Sequence, residues 1–265
     1  LSYAYDHEWI NKTIYQNAYV RTDSYFDNSP LASSGLPSKN ELELLNVWKD
    51  EIPAEVFTET FTPPITDGSG NDRKNLLKAK EILEKEGWFV ENGKLVKDGK
   101  EFKFEFLIVS PSDEKIALAY QSNLKKLGIT MDVRTVDSSQ YQERLLSYDF
   151  DMIKRYWGVS LSPGNEQQFY WGSEVGQKDG SRNYPGINSP AVDALIEKLI
   201  SATNREELTT AIHALDRVLL WGHYVVPLYH SNKDRIAYWD FFEYPDEIPL
   251  YGIVIESWWI NKDKQ

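Results

Sequence analysis

Between residues 101 and 157 the hydrophobic period changes back and forth between two and about 3.6, and that alternation restricts the fold more than any single motif. Phe102, Phe104, Phe106 and Ile108 alternate with Lys103 and Glu105, which predicts a strand over 101–109. Pro111 and Ser112 then open a helix that runs to Gly128, with Ile116, Ala117, Tyr120, Leu124 and Leu127 as its inner stripe. A strand over 129–136, a helix from Ser138 or Ser139 to Leu146, and a strand over 151–157 complete the pattern. Strand, helix, strand, helix, strand implies crossover connections and an α/β sheet flanked by helices.

On the N-terminal side of this unit, Asn92-Gly93 and Asp98-Gly99 are hairpin-type turns around a strand over 94–96. Asn71 is placed to cap a helix with Leu76, Ala79 and Leu83 on one face, and Gly87 to end it. Ser38 with Glu41 reads as a capping box. Residues 2–16 read as a helix, and 17–37, with Asn28, Pro30, Gly35 and Pro37, as an irregular wrapping loop. On the C-terminal side, Ser189-Pro190 caps a helix with Val192, Leu195, Ile196, Leu199 and Ile200 as a full apolar stripe. Asn204 with Glu207 starts a second helix, buried through Leu208, Ala211, Ile212, Leu215 and Leu219. Strands are expected over 225–229 and 235–239, and the last 25 residues, with Pro245, Pro249 and Trp258-Trp259, read as a peripheral arm.

Composition narrows the function classes. The 41 acidic against 29 basic residues give a formal charge of −12, a field that repels phosphates and argues against nucleic acid as a partner. There are no cysteines, which excludes a disulfide framework and a thiolate metal site. His7, His213, His223 and His230 are not spaced as a zinc pair, and Gly68-Ser69-Gly70 lacks the Lys-Ser/Thr of a phosphate loop. No Gly-x-Ser-x-Gly elbow occurs. No cofactor or metal is expected, and catalysis would have to come from paired carboxylates. The 9 Trp and 16 Tyr suit either core packing or the wall of a ligand groove. The opening Leu1-Ser2-Tyr3-Ala4-Tyr5-Asp6 reads as a chain entered at a domain boundary.

Four stretches, in order, resemble the peptide/nickel group of ABC solute-binding proteins, family 5. They are Leu1 to Glu8; Gly87-Trp88 with Gly93-Lys94-Leu95, Gly99 and Phe102-Lys103-Phe104; Tyr148-Asp149-Phe150-Asp151-Met152 with Trp157; and Val226-Pro227-Leu228-Tyr229 with Arg235. Within that group, Ser160 to Glu166, Arg182 to Ile187, and Leu215 to Trp221 with His223-Tyr224 resemble the microcin C-type peptide-binding branch.

The resemblance implies a type II periplasmic-binding-protein-like receptor of two lobes that closes over its ligand. Residues 1–224 would form its second lobe, with a mixed sheet flanked by helices. Residues 225–265 would form a crossover and a return arm to the first lobe, leaving Trp239, Trp258 and Trp259 exposed. The implied role is extracytoplasmic, periplasmic binding of a peptide or peptide-like solute by a monomer that delivers it to an ABC importer's membrane permease. An oligosaccharide receptor of the same family and an acid/base hydrolase are the alternatives.

The resemblance also points to site residues. Trp157 and the residues after it would face the cleft, and Tyr141 matches a groove aromatic. Lys154 and Arg155 suit a ligand carboxylate, Arg through its bidentate fork. Alternation lets only one of Tyr156 and Trp157 face ligand. Many peptide receptors of the family carry an aspartate three residues after this tryptophan to pair with the ligand's amino terminus. Ser160 stands there, so Glu166, from the following Ser160-Leu161-Ser162 loop, becomes the candidate counter-charge. His230, beside the return crossover, completes the candidate set.

Overall fold

A computed structural model describes residues 1–176, 178–249 and 252–264 of this 265-residue chain. A 3-10 turn over Ser2–Ala4 precedes α1 (His7–Thr13), so the helix expected over 2–16 is broken near its start. Asp6 causes the break. One carboxylate oxygen accepts from Trp9 N at 3.0 Å and caps α1, and the other accepts from Gly70 N at 2.8 Å. The Gly68–Gly70 segment is therefore a structural wrap around α1. After β1 (Val20–Arg21) comes the expected irregular loop, then α2 (Lys39–Leu45), whose Ser38/Glu41 capping box forms in both directions. A short α3 (Glu55–Thr58) leads to α4 (Arg73–Lys85). Asp72 caps α4, one residue beyond the Asn71 expected, through a 3.0 Å bond from Asn75 N.

Strands β2 (Phe89–Glu91), β3 (Lys94–Lys97) and β4 (Lys100–Glu101) form an antiparallel meander. Both of its turns adopt positive φ at their two central residues, as Asn-Gly and Asp-Gly do most cheaply. The predicted α/β unit follows as β5 (Lys103–Ile108), α5 (Pro111–Lys126), β6 (Thr130–Thr135), α6 (Ser138–Leu146) and β7 (Met152–Ile153). The sheet order is β6-β5-β7, and both pairings are parallel. The mixed character expected of the sheet is thus divided between this parallel core and the separate meander. As the central strand, β5 is buried on both faces at its C-terminal end. Phe106 and Ile108 join the cluster under α5, while Leu107 packs with Val136, Tyr141 and Leu145 on the other side. Gly128, at φ +78°, lets the α5–β6 turn lie against β3, since a Cβ there would sit 2.8 Å from Leu95 N.

The strand expected over 151–157 is much shorter. Only Met152 and Ile153 pair, with Phe106 and Leu107, and beyond Ile108 no neighbouring backbone continues the ladder. After the unpredicted α7 (Glu166–Trp171), α8 (Pro190–Ile200) packs antiparallel to α9 (Arg205–Trp221) around the largest apolar cluster. Beyond α9, β8 (Tyr229–His230) pairs antiparallel with β1, and β9 (Phe242–Glu243) pairs antiparallel with β10 (Trp259–Ile260). The expected strand over 235–239 is irregular instead. Arg235 anchors it to the body, its guanidinium donating to Ala18 O at 2.8 Å. Trp239 is 72% exposed and Trp259 48%, whereas Trp258 is half-buried against Tyr238 and Tyr244.

Candidate functional site

The loop that delivers the site begins with Tyr148, at φ +55°, and is tied down by charge. Arg144 pairs with Glu105 and Asp149, each at 2.8 Å, and Asp151 accepts from Glu105 N at 2.8 Å. The Tyr-Asp-Phe-Asp stretch is therefore a staple that sets the direction of β7. Beyond β7, the backbone carries Lys154, Arg155, Tyr156 and Trp157 out over the C-terminal edge of the parallel sheet. This is where open α/β sheets present their binding crevices.

Tyr141 lies beneath this run, buried on α6, with its hydroxyl donating to Lys154 O at 3.1 Å. Burial pushes the Tyr141 phenol up, so it stays a neutral donor. It supports the loop from below, in keeping with a core-packing role for this residue. Lys154 Nζ reaches Asp113 at 2.5 Å and Tyr229 OH at 2.9 Å, and Tyr229 OH in turn contacts Tyr15 OH at 2.7 Å. Burial raises the phenols of Tyr229 and Tyr15. Lys154 therefore ties the site loop to β8.

Arg155 and Trp157 share a different wall. The Arg155 guanidinium lies 5.2 Å from the Tyr184 ring centre and donates to its hydroxyl at 3.4 Å. Trp157 packs at 4.8 Å on buried Trp171 and donates from Nε1 to Arg182 O at 3.4 Å. Trp171 packs in turn on Tyr25 at 5.0 Å, and its indole N–H donates to Gln167. The half-buried Trp157 ring is thus the outer member of an aromatic stack rooted in the α8–α9 core. Tyr156 is 85% exposed, so the expected opposite facing of the two rings occurs without a regular strand.

Ser160 is bonded to Ser162, and Glu166 separately to its own neighbours. Ser160 Oγ accepts from Ser162 N at 2.9 Å, and Glu166 Oε1 accepts from Gly164 N at 2.9 Å and Gln167 Nε2 at 3.3 Å. His230 stands apart on β8, with Nδ1 3.1 Å from Asp27 Oδ2 and 3.3 Å from Thr22 Oγ1. The eight candidates thus form an aromatic–cationic ledge, a self-bonded loop and a crossover contact. Asp113 and Trp171 were not singled out from the sequence, and Arg182 and Tyr184 only within the Arg182–Ile187 resemblance, not as site residues. Each lies far along the chain from its partner, or in the unpredicted segment around α7, and no local pattern gives it a site role.

Residues 1–179 match the family described as bacterial extracellular solute-binding proteins, family 5 middle. The chain belongs to this family. An uncharacterized protein, y4wM, of Sinorhizobium fredii is 49% identical over 262 residues, covering 98% of this chain and 40% of that protein. A probable peptide-binding protein, YejA, of Agrobacterium fabrum is 42% identical, covering 99% of this chain and 43% of its own length. The solved structure of the oligopeptide-binding protein AppA from Bacillus subtilis, in complex with a nonapeptide, superposes with a TM-score of 0.65 at 21% identity. That match covers 98% of this chain and 46% of AppA. The fold is that of type II periplasmic binding proteins, and the chain spans less than half the length of the relatives it matches. Among the described residues, no helix is long and apolar enough to cross a membrane.

Proposed function

We propose that residues 1–224 form the ligand-binding second lobe of a periplasmic receptor, and that residues 225–265 cross back to its first lobe. The receptor takes up a peptide or peptide-like solute as a monomer and passes it to the permease of an ABC importer. It acts as a carrier and not as an enzyme. The observation that carries this reading is the ledge at the edge of the parallel sheet. A half-buried tryptophan, anchored by Trp171 and Tyr184, offers an apolar wall beside a planar cation, Arg155, and a freely exposed Tyr156. Peptides need such walls for variable side chains and a fork for a carboxylate.

Family membership supports the binding role, and the YejA and AppA likenesses support a peptide-type ligand. Assignment to the microcin C-type branch rests on Ser160–Glu166 and Arg182–Ile187. In the second stretch, buried Asn183 donates to Gly172 O and Ile187 O and shapes the floor beneath Trp157. With Ser160 where other receptors place an aspartate, Glu166 would meet a ligand ammonium through Oε2 while Oε1 holds Gly164 N.

Mass spectrometry of solute co-purified with the full-length protein, followed by calorimetry, tests the reading. A peptide should co-purify, and Trp157→Ala should weaken its binding by about tenfold or more, the loss of a buried aromatic anchor. The 265-residue chain alone should bind only in the millimolar range, because half of a micromolar receptor's ~8 kcal/mol is gone. A co-purified glycan, or turnover of peptides that vanishes in Glu166→Gln, would replace this reading.

A further inference from the structure

The β1–β8 pair is only two residues long on each strand, with Val20 opposite His230 and Arg21 opposite Tyr229. So short a ladder needs side-chain ties. Three of them do not titrate near neutrality: Tyr15 OH to Tyr229 OH at 2.7 Å, Asn28 Nδ2 to Ser231 O at 2.7 Å, and Arg235 to Ala18 O at 2.8 Å. The fourth is different in kind. His230 Nδ1 faces Asp27 Oδ2 at 3.1 Å, with Thr22 Oγ1 beside it at 3.3 Å. It joins the loop after β1 directly to β8.

We propose that Asp27 and His230 are a one-proton clasp on the β1–β8 crossover, and that the clasp loosens when that proton leaves. On the reading that these two strands join the lobes, the clasp makes the receptor's hinge sensitive to pH.

The groups around the pair fix the sign. Oδ2 of Asp27 also accepts from Asp23 N at 3.1 Å and Ser24 N at 3.4 Å, and it faces His230 Nδ1 closely enough for one proton to be shared between them. Asp23 adds a second carboxylate next to Asp27. Burial, reinforced by Asp23, raises the Asp27 carboxyl to about 7, against the backbone bonds that lower it. Burial lowers His230, and nearby His7 is held down to about 4 by its own burial and by Arg21. His7 is therefore neutral and does not compete for Asp27. Because Asp27 and His230 interact directly, the proton belongs to the pair and leaves it near neutrality. Below that point a shared proton bridges the Asp27 carboxyl and the His230 imidazole across the crossover. Above it the same contact joins a neutral imidazole to a carboxylate that faces Asp23. A proton held by the folded pair and released in the opened state stabilises the closed crossover at lower pH, and this stability is lost as pH rises through about 7.

Amide hydrogen exchange of this chain at pH 6 and pH 8, corrected for intrinsic exchange, tests the clasp without any ligand. Protection at residues 20–22 and 229–231 should fall by roughly threefold between the two, while amides of α8 and α9 hold steady. The His230 ring signals should titrate over the same range. Asp27→Asn and His230→Gln should each abolish the pH dependence. An unchanged pH dependence in both variants, or none in the parent chain, would overturn the proposal. Loss of ligand binding by the full-length protein would instead count against the receptor reading.

Discussion

Two irregular segments of this chain are held in opposite ways. The loop over residues 22–37 is nailed to α9 by two buried charged side chains. Asp216, fully buried, accepts from Ser24 Oγ at 2.8 Å, Tyr25 N at 2.8 Å, Ser33 N at 3.0 Å and Ser33 Oγ at 2.7 Å. Its neighbour Arg217 donates to the carbonyls of Ser34, Gly35 and Leu36 and pairs with Glu41 at 2.6 Å. The loop over 158–166 has one exposed tie to α9, Arg205 donating to Leu161 O, and otherwise its own short bonds, Ser162 N to Ser160 Oγ and Gly164 N to Glu166. A long-range anchor fixes one backbone conformation. Local bonds can be exchanged for bonds to a ligand at little cost to the fold. The first loop therefore builds the scaffold behind Trp171, and the second, with a single exposed tie, is the more easily rearranged.

The largest expected effect is on the anchored side. Asp216→Ala leaves four donors without an acceptor in a dry interior and opens a gap behind Phe26 and Leu31, both in the main core. The loss should be about 3 kcal/mol or more, read as a fall in the denaturation midpoint. Asp216→Asn should recover part of it, because one oxygen still accepts. A loss below about 1 kcal/mol for the alanine variant would show that the loop is held by its apolar residues alone.

A pH effect comes next. Burial alone would raise the Glu41 carboxyl, but the His213 imidazole 3.8 Å away and the hydrogen-bonded Arg217 outweigh it and hold the group down at about 2. A carboxylate held below its ordinary 4.5 contributes stability that is complete above that value and is lost as pH falls toward 2. Chemical denaturation between pH 5 and 2.5 should show that decline, with a shallower slope in Glu41→Gln. His213, raised by its contact with the Glu41 carboxylate against its burial, works in the opposite sense, and its contribution fades as pH climbs past its folded value. Equal slopes in parent and variant would remove Glu41 from the anchor.

How much of this was legible in the sequence follows the same division. The α/β unit and the α8–α9 pair could be read because period and capping are local: Ser38, Ser189 and Asn204 each cap the helix assigned to them. Asp216 and Arg217 could not be read as an anchor. They sit one position past the apolar stripe of α9, and only the wrapped loop, more than 180 residues away in sequence, gives them partners. The site was half legible for the same reason. Trp157 was found through its neighbours in sequence, while Tyr184, Trp171 and Asp113, which position the ledge, are long-range partners. The strand over 151–157 was over-extended because alternation continues in the sequence after the neighbouring backbone has turned away.

The smallest effect on stability, and the sharpest test of the comparison, lies at Tyr156. Its ring is 85% exposed and packs against neither of the clusters that flank the loop. Tyr156→Ala should therefore change the stability of this chain by no more than about 0.5 kcal/mol, as for other exposed sites. If the adaptable loop and its ledge serve a solute, the same substitution in the full-length receptor should weaken binding by roughly fivefold, because an exposed aromatic gains its contacts only on closure. Ser160→Ala offers a paired control: it breaks the Ser162 N bond and nothing else in the loop. Its effect on stability should be equally small, and any effect on affinity would report the loop's shape, since serine carries no charge for a ligand ammonium. A Tyr156→Ala chain that unfolds early would mean the ring packs in solution, and the division between a rigid and an adaptable loop would fail at the residue where it is most exposed.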